Sequence, residues 1–260
     1  MADRLTVADL RQMKKDGKKI AAAVVYEYQM TKICERAGVD VLSVGDSLGR
    51  NVLGQADVDD CMVDDMIPFA RAVVRGRERA IVSVDMPTVP SRGGVATVVE
   101  AAKRFRDEAG VDMVKVDIRT REEQLFDEIP AVIETGLHVY PQIGFPTQGP
   151  TRGVQGGPEV LEHVMKWAHK IQDAGAAMID LTNVPPDIYE QVCKSLEIPV
   201  IGGQAPQQAD GKIQVAVSGV GYFAAQIDRT DGRPNMAKFA FDAMKGYIDD
   251  IHAGKWGTGQ

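Results

Sequence analysis

Three aspartates close three apolar runs of the chain: Asp46 ends VDVLSVGD, Asp85 ends AIVSVD and Asp117 ends VDMVKVD. They are 39 and 32 residues apart, about one strand-plus-helix unit each time. If the runs are neighbouring strands, the three carboxylates meet at one rim. Hard oxygen donors at an open rim suit Mg²⁺, which keeps several positions for water or substrate oxygens. Zinc suits this sequence poorly, because none of its four histidines pairs with another at i, i+4 and no cysteine joins them. A metal that chelates the keto and carboxylate oxygens of a 2-oxo acid is a Lewis acid, and it stabilises the enolate formed when the adjacent carbon loses a proton. The chemistry expected here is therefore the making or breaking of a carbon–carbon bond.

Lys115 precedes Asp117 by two residues, so strand periodicity turns both to the same face. A lysine on an inward face is costly unless it meets an anion, and the carboxylate of a bound acid is a natural partner. Ser47, directly after Asp46, offers a hydroxyl to the same anion. A single aspartate at a strand end is ordinarily a turn or helix cap. Three in consecutive units, one with an inward lysine, tip the balance toward a site. His163 and His169 fall inside a helical pattern and read as surface or packing residues, and GVQGG and GGQAP read as loop flexibility rather than as phosphate cradles.

Such a rim needs alternating strands and helices to build it. Eight strand-like runs can be counted: 20–28, 39–46, 80–85, 111–118, 138–144, 176–183, 199–203 and 213–220. Between them lie helical patterns, such as Val95, Val98, Val99, Ala102 and Phe105, or Val160, Val164, Trp167 and Ile171. The last helix carries Met236, Phe239, Ala240, Ala243 and Tyr247 on one face. An Ala-Gly pair stops a helix before a fresh apolar run at Ala37, Ala109 and Ala174, as a repeated unit requires. Strands without strict alternation, each followed by a helix, form a parallel sheet covered on its outside. The expected fold is an α/β (βα)8 TIM barrel, one domain over residues 1–260, preceded by a short helix that Thr6 and Asp9 cap. The long loops follow strands rather than helices, which places a site at the strands' C-terminal ends.

Composition narrows the partners. With 30 Lys and Arg against 37 Asp and Glu, the net charge is -7, and no basic cluster suggests nucleic acid or an anionic membrane. The three scattered cysteines form no metal or disulfide pattern. No apolar run reaches the length of a membrane span or a signal segment. A soluble, cytoplasmic protein acting on a small molecule is the expectation.

At these residues the sequence resembles the ketopantoate hydroxymethyltransferase family along its whole length. The segments that carry the resemblance are TVADLRQMKKDGKKI, AGVDVLSVGDSLGRNVLG, VDDM with ARAVVRG, VDMP, AGVDMVKVD and YIDDIHAGKW, and VGDSLG followed by NVLG is the most specific. The resemblance implies a (βα)8 barrel of the isocitrate lyase and phosphoenolpyruvate mutase superfamily and a large homo-oligomer such as a decamer. It implies Mg²⁺ and transfer of a hydroxymethyl group from 5,10-methylenetetrahydrofolate to 3-methyl-2-oxobutanoate, a step of pantothenate biosynthesis. By position it makes Asp46 and Asp85 metal-site acids and Ser47 and Lys115 substrate contacts, with Asp117 standing where the family has glutamate. The family's proposed base lies in a Leu-Glu-Cys-Val-Pro run, which here reads Leu181-Thr182-Asn183-Val184-Pro185. An unactivated threonine hydroxyl cannot accept a proton as a carboxylate does. The family's histidine before Ile-Gly is Gln142, and its glycine-rich run has become IGGQAP. Asp180, two residues before Thr182, shares its inward face and is expected either to replace the base or to be a structural acid paired with His138 or Tyr140. Two alternatives remain beside the transferase: a Mg²⁺-dependent carbon–carbon lyase or aldolase of the wider superfamily, and a non-catalytic paralogue that binds an oxo acid.

Overall fold

The computed structural model describes residues 3–119, 121–144, 154 and 156–255. Eight strands occur in chain order: β1 Ile20–Val24, β2 Val41–Val44, β3 Ile81–Asp85, β4 Met113–Asp117, β5 His138–Gly144, β6 Ile179–Thr182, β7 Val200–Ile201 and β8 Gly211–Val215. They lie side by side in the order β7-β6-β5-β4-β3-β2-β1-β8, and the paired strands from β1 to β7 run parallel. The helices that follow are α1 Val7–Lys15 ahead of β1, then α2 Tyr28–Ala37, α3 Val63–Gly76, α4 Val95–Arg104, α5 Glu128–Glu134, α6 Pro158–Asp173, α7 Pro186–Ser195 and α8 Met236–His252. The sheet curls into a nearly closed TIM barrel. Across the seam, the Ile213 N–H donates to the Gly202 carbonyl (3.3 Å) and the Asp210 N–H to the Val200 carbonyl (3.1 Å).

Packing within the chain groups residues 1–213 into one compact unit and 214–260 into a second. In the first unit, Leu10 and Met13 of α1 join Ile20, Val41, Ile81 and Met113, the opening residues of four strands, in one apolar cluster. Helix α1 therefore covers the N-terminal end of the barrel. Its Lys14 reaches the seam, where Nζ donates to Asp210 Oδ2 (2.9 Å) and to the carbonyls of Cys193 (2.8 Å) and Ile198 (2.9 Å). Around the outside, α3 buries Met66, Ile67, Ala70 and Val73, and α6 buries Val160, Val164, Trp167 and Ile171. Every residue of β2 is buried, as a strand covered on both faces must be.

The expected punctuation is present. Thr6 and Asp9 form a reciprocal capping box at α1, and Gly38, Gly110 and Gly175 take left-handed φ of 90°, 75° and 94° where helix turns into strand. Two details differ from the sequence reading. The eighth strand starts at Gly211 and gives way to a helical turn at Ala216–Gly219, and the connection from β7 to β8, residues 202–210, contains no helix. Polar Gln207, Gln208, Asp210 and a Gly-Gly pair offer that connection no apolar stripe with which to form one. In the second unit, Asn235 caps α8 by accepting from the Lys238 N–H (2.9 Å), while its side-chain amide donates to the Gln226 carbonyl (2.8 Å).

Candidate active site

The inward faces of β2 to β6 change character along their length. Near the N-terminal ends they carry Val41, Ile81, Met113 and Met178, and one step further they carry Ser43, Ser83, Lys115, Tyr140 and Asp180. Ser83 Oγ donates to Ser43 Oγ (2.9 Å), and Ser43 Oγ approaches Asp85 Oδ1 at 3.5 Å. Asp85 is level with Lys115 in the β3–β4 register, and Lys115 is level with Tyr140 in the next pair. Lys115 Nζ lies 3.0 Å from Asp180 Oδ2 and 5.8 Å from the centre of the Tyr140 ring. The two ion-pair partners are 14% and 5% exposed, so this is a charge pair inside the barrel rather than on its rim.

The expected partners of Asp180 are thereby corrected. It pairs with Lys115 rather than with His138, which is exposed, or with Tyr140, whose hydroxyl has no hydrogen-bond partner. Asp180 Oδ1 and the Tyr189 hydroxyl are also buried without a partner. Both flank Gly202, where an added Cβ would stand 3.1 and 2.8 Å from them. Thr182 follows Asp180 on the same face and is buried. After it the chain turns through Asn183, whose φ of 60° is the left-handed conformation that asparagine tolerates better than most residues.

Beyond β2 the chain turns through Gly45 and Asp46 into the short helix Leu48–Asn51, with Ser47 at its start but bonding no helix N–H through its side chain. The Ser47 hydroxyl instead meets that of Tyr26 at 2.9 Å, and the Asn51 side-chain amide donates to the same tyrosine oxygen at 2.8 Å. Burial, more than the Ser47 and Asn51 bonds that oppose it, raises the Tyr26 pKa and keeps its hydroxyl protonated. A Cβ on Gly45 would lie 3.0 Å from both Ser47 Oγ and Val24 Cγ1 and 3.5 Å from Asp85 Oδ2, so only glycine fits where these groups converge.

Burial and the neighbouring Asp85 charge push Asp46 up to about 7, against the pull of Lys115. Burial also lifts Asp85, with Asp180 adding to the rise and Lys115 opposing it. Burial alone would lower Lys115, yet Asp85 and Asp180 beside it hold its pKa above the ordinary lysine value. Asp117 lies near enough to add to the rise of Asp46, Asp85 and Lys115, yet it is engaged elsewhere. Its carboxylate accepts from the Arg119 N–H at 3.1 Å and from the Arg119 guanidinium through Nε at 2.9 Å, the local turn that the bland reading of a strand-end aspartate anticipates. Among the described residues, no three His, Cys, Asp or Glu side chains gather as they would around a metal ion, so Asp117 does not complete the expected triplet in this arrangement.

The sequence reading passed over Tyr26, Asn51, Arg119 and Tyr189, and named Tyr140 only as a partner for Asp180. Nothing local marked the first four. Gln142 is level with Asp180 in the β5–β6 register. The loop after β5, which holds PTQGPTRG, lies outside the described residues.

The sequence matches the profile of ketopantoate hydroxymethyltransferase over residues 4–258. The chain belongs to that family. It is 32% identical to the 3-methyl-2-oxobutanoate hydroxymethyltransferase of Acetivibrio thermocellus, covering 99% of this chain and 92% of the relative. It is 33% identical to the enzyme of the same name from Gluconacetobacter diazotrophicus, covering 98% and 93%. Among solved structures, 2,3-dimethylmalate lyase, a PEP mutase/isocitrate lyase superfamily member, matches with a TM-score of 0.64 at 16% identity over 98% of this chain and 96% of that one. Phosphonopyruvate hydrolase in complex with oxalate and Mg²⁺ matches with a TM-score of 0.64 at 14% identity, over 96% and 99%. At such identities the two structures show a shared fold.

Proposed function

We propose that the protein is a Mg²⁺-dependent hydroxymethyltransferase acting on a 2-oxo acid such as 3-methyl-2-oxobutanoate, with 5,10-methylenetetrahydrofolate as the one-carbon donor. The observation that carries this reading is the pair Asp46 and Asp85 in the barrel mouth, where the Asp85 charge raises Asp46 and the Asp46 backbone bonds to Asp85. Two half-buried carboxylates with one lysine between three acids leave negative charge that a cation offsets, and Mg²⁺ is commonly held by one or two carboxylates with substrate oxygens and water. Asp46 and Asp85 would hold it, and Asp117 would join only by releasing Arg119. The bound ion would supply Lewis-acid stabilisation of an enolate.

The chain's own residues have distinct tasks in this reading. Lys115 holds the carboxylate of the oxo acid, and Ser47 donates to one of its oxygens. Asp180 receives the proton from the carbon next to the keto group, because its Oδ1 is unengaged while Oδ2 stays on Lys115. Thr182, buried one layer above, orients that acid's surroundings but has no base of its own.

A non-catalytic oxo-acid-binding paralogue is the second reading, favoured by the ion pair that already engages Asp180. Deuterium exchange at C3 of 3-methyl-2-oxobutanoate, followed by NMR with and without Mg²⁺, separates the two. Mg²⁺-dependent exchange is expected; binding with no exchange would transfer the case to the paralogue, and neither binding nor exchange would sink both.

A further inference from the structure

We infer that Tyr26 is a positioning residue that commits the Ser47 hydroxyl to donate away from Tyr26, toward a carboxylate oxygen of a bound 2-oxo acid. The inference rests on the site reading above and assigns a task to a residue outside the sequence-derived set. Its starting point is a hydrogen-bond count. The Tyr26 oxygen has two neighbours within bonding distance, the Asn51 amide at 2.8 Å and Ser47 Oγ at 2.9 Å. The amide nitrogen can only donate, so the tyrosine oxygen accepts there. Tyr26 is 2% exposed, and its own O–H must find an acceptor or bear the cost of a buried unpaired donor. Ser47 Oγ is the acceptor within reach.

The direction of the chain follows: Asn51 N–H to Tyr26 O, then Tyr26 O–H to Ser47 Oγ. With its oxygen accepting from Tyr26, the serine keeps its proton for a third group. Ser47 is partly exposed, and its oxygen and Asp85 Oδ2 both converge on Gly45. A ligand oxygen that reaches the exposed side of the serine receives the proton. An oxygen with a negative charge gains most, since hydrogen bonds to charged groups are roughly twice as strong as neutral ones. If Tyr26 were absent, the Ser47 hydroxyl could rotate toward the Asp85 carboxylate, and the ligand would lose a donor.

Calorimetric titration of 3-methyl-2-oxobutanoate in the presence of Mg²⁺ tests this, using the full chain, Tyr26→Phe, Ser47→Ala and the double variant. Each single change is expected to weaken binding about tenfold, the equivalent of one hydrogen bond to a charged group. The double variant is expected to be no weaker than Ser47→Ala alone, because Tyr26 acts through the serine. A tyrosine that merely supports the loop would lower affinity by the same factor in both backgrounds, and that additivity would overturn the inference. Unchanged affinity in Tyr26→Phe would do so as well. Should Tyr26→Phe fail to fold, Asn51→Ala removes the donor that sets the direction, and it must weaken binding in the Ser47 background but not in Ser47→Ala. Failure of the unaltered protein to bind the acid would overturn the site reading itself and the inference with it, a result distinct from binding that is insensitive to Tyr26.

Discussion

At the residue scale, Asp180 decides what chemistry the pocket can perform. Its carboxylate is the acid nearest the position of the family's base, and Lys115 occupies one of its two oxygens. Asp180→Asn keeps the shape and removes the negative charge, so deuterium exchange at C3 should fall at least about 100-fold, the lower end of what general acid–base catalysis contributes. Near-normal exchange in a correctly folded variant would take Asp180 out of the mechanism. Period-two reading of the strands placed Lys115, Asp117, Asp180 and Thr182 on inward faces, and the structure agrees in each case. It could not show that Lys115 on β4 meets Asp180 on β6, because that contact spans an intervening strand and depends on barrel curvature. Nor could it show that Asp117 turns onto Arg119, two residues ahead, since the rotamer is chosen by a guanidinium whose own direction is set by the loop.

At the scale of single elements, α5 carries a carboxyl that the fold would rather keep protonated. Glu128 is 2% exposed, and burial lifts its pKa to about 7, against the hydrogen bond from Ser91 and the charge of Arg121. A carboxyl raised in the native state binds its proton more tightly there than in the unfolded chain, so its contribution is complete below about pH 4.5 and is lost as pH rises through about 7. Glu128→Gln should therefore be more stable than the parent at pH 8 by about 1 kcal/mol, after allowance for solvent screening, and the gain should vanish at pH 4. Urea denaturation at the two pH values measures the difference; an equal gain at both would show that charge is not the cause.

Strand identity was legible from the same elements, because apolar runs bounded by Ala-Gly stops leave little choice. The missing helix between β7 and β8 was not. Counting eight runs invites eight identical units, and only the polarity of GGQAPQQADGK marks one of them as different. The helix expected after Gly94 is present as α4, yet it loosens into a wider turn at Phe105–Ala109 that keeps Phe105 buried before Gly110. Periodicity does not resolve such a change, since the wider turn spans only Phe105–Ala109 and so short a stretch carries too little pattern to tell one winding from another.

For the molecule as a whole, the two ends of the barrel differ. The candidate site lies at the C-terminal mouth, while α1 and Lys14 tie the N-terminal end to the seam. Lys14→Met would leave the Asp210 carboxylate and two carbonyls without their shared donor, a loss of about 2 kcal/mol. The melting temperature should fall by about 5 °C with no change in affinity for 3-methyl-2-oxobutanoate. A change in affinity would mean that the two ends communicate. The separation was legible in advance from the long loops that follow strands, although the seam itself came from Gly202, Asp210 and Ile213, which no periodicity connects.

The Lys115–Asp180 ion pair has a final consequence, which concerns the order of events. Lys115 is the one lysine opposing Asp46 and Asp85, and Asp180 draws on the same charge, so it cannot neutralise all three acids when they are ionised. Under the proposed function an incoming carboxylate would be repelled by the remainder, and a divalent cation would turn that repulsion into attraction. Arrival would then be ordered, cation first and oxo acid second.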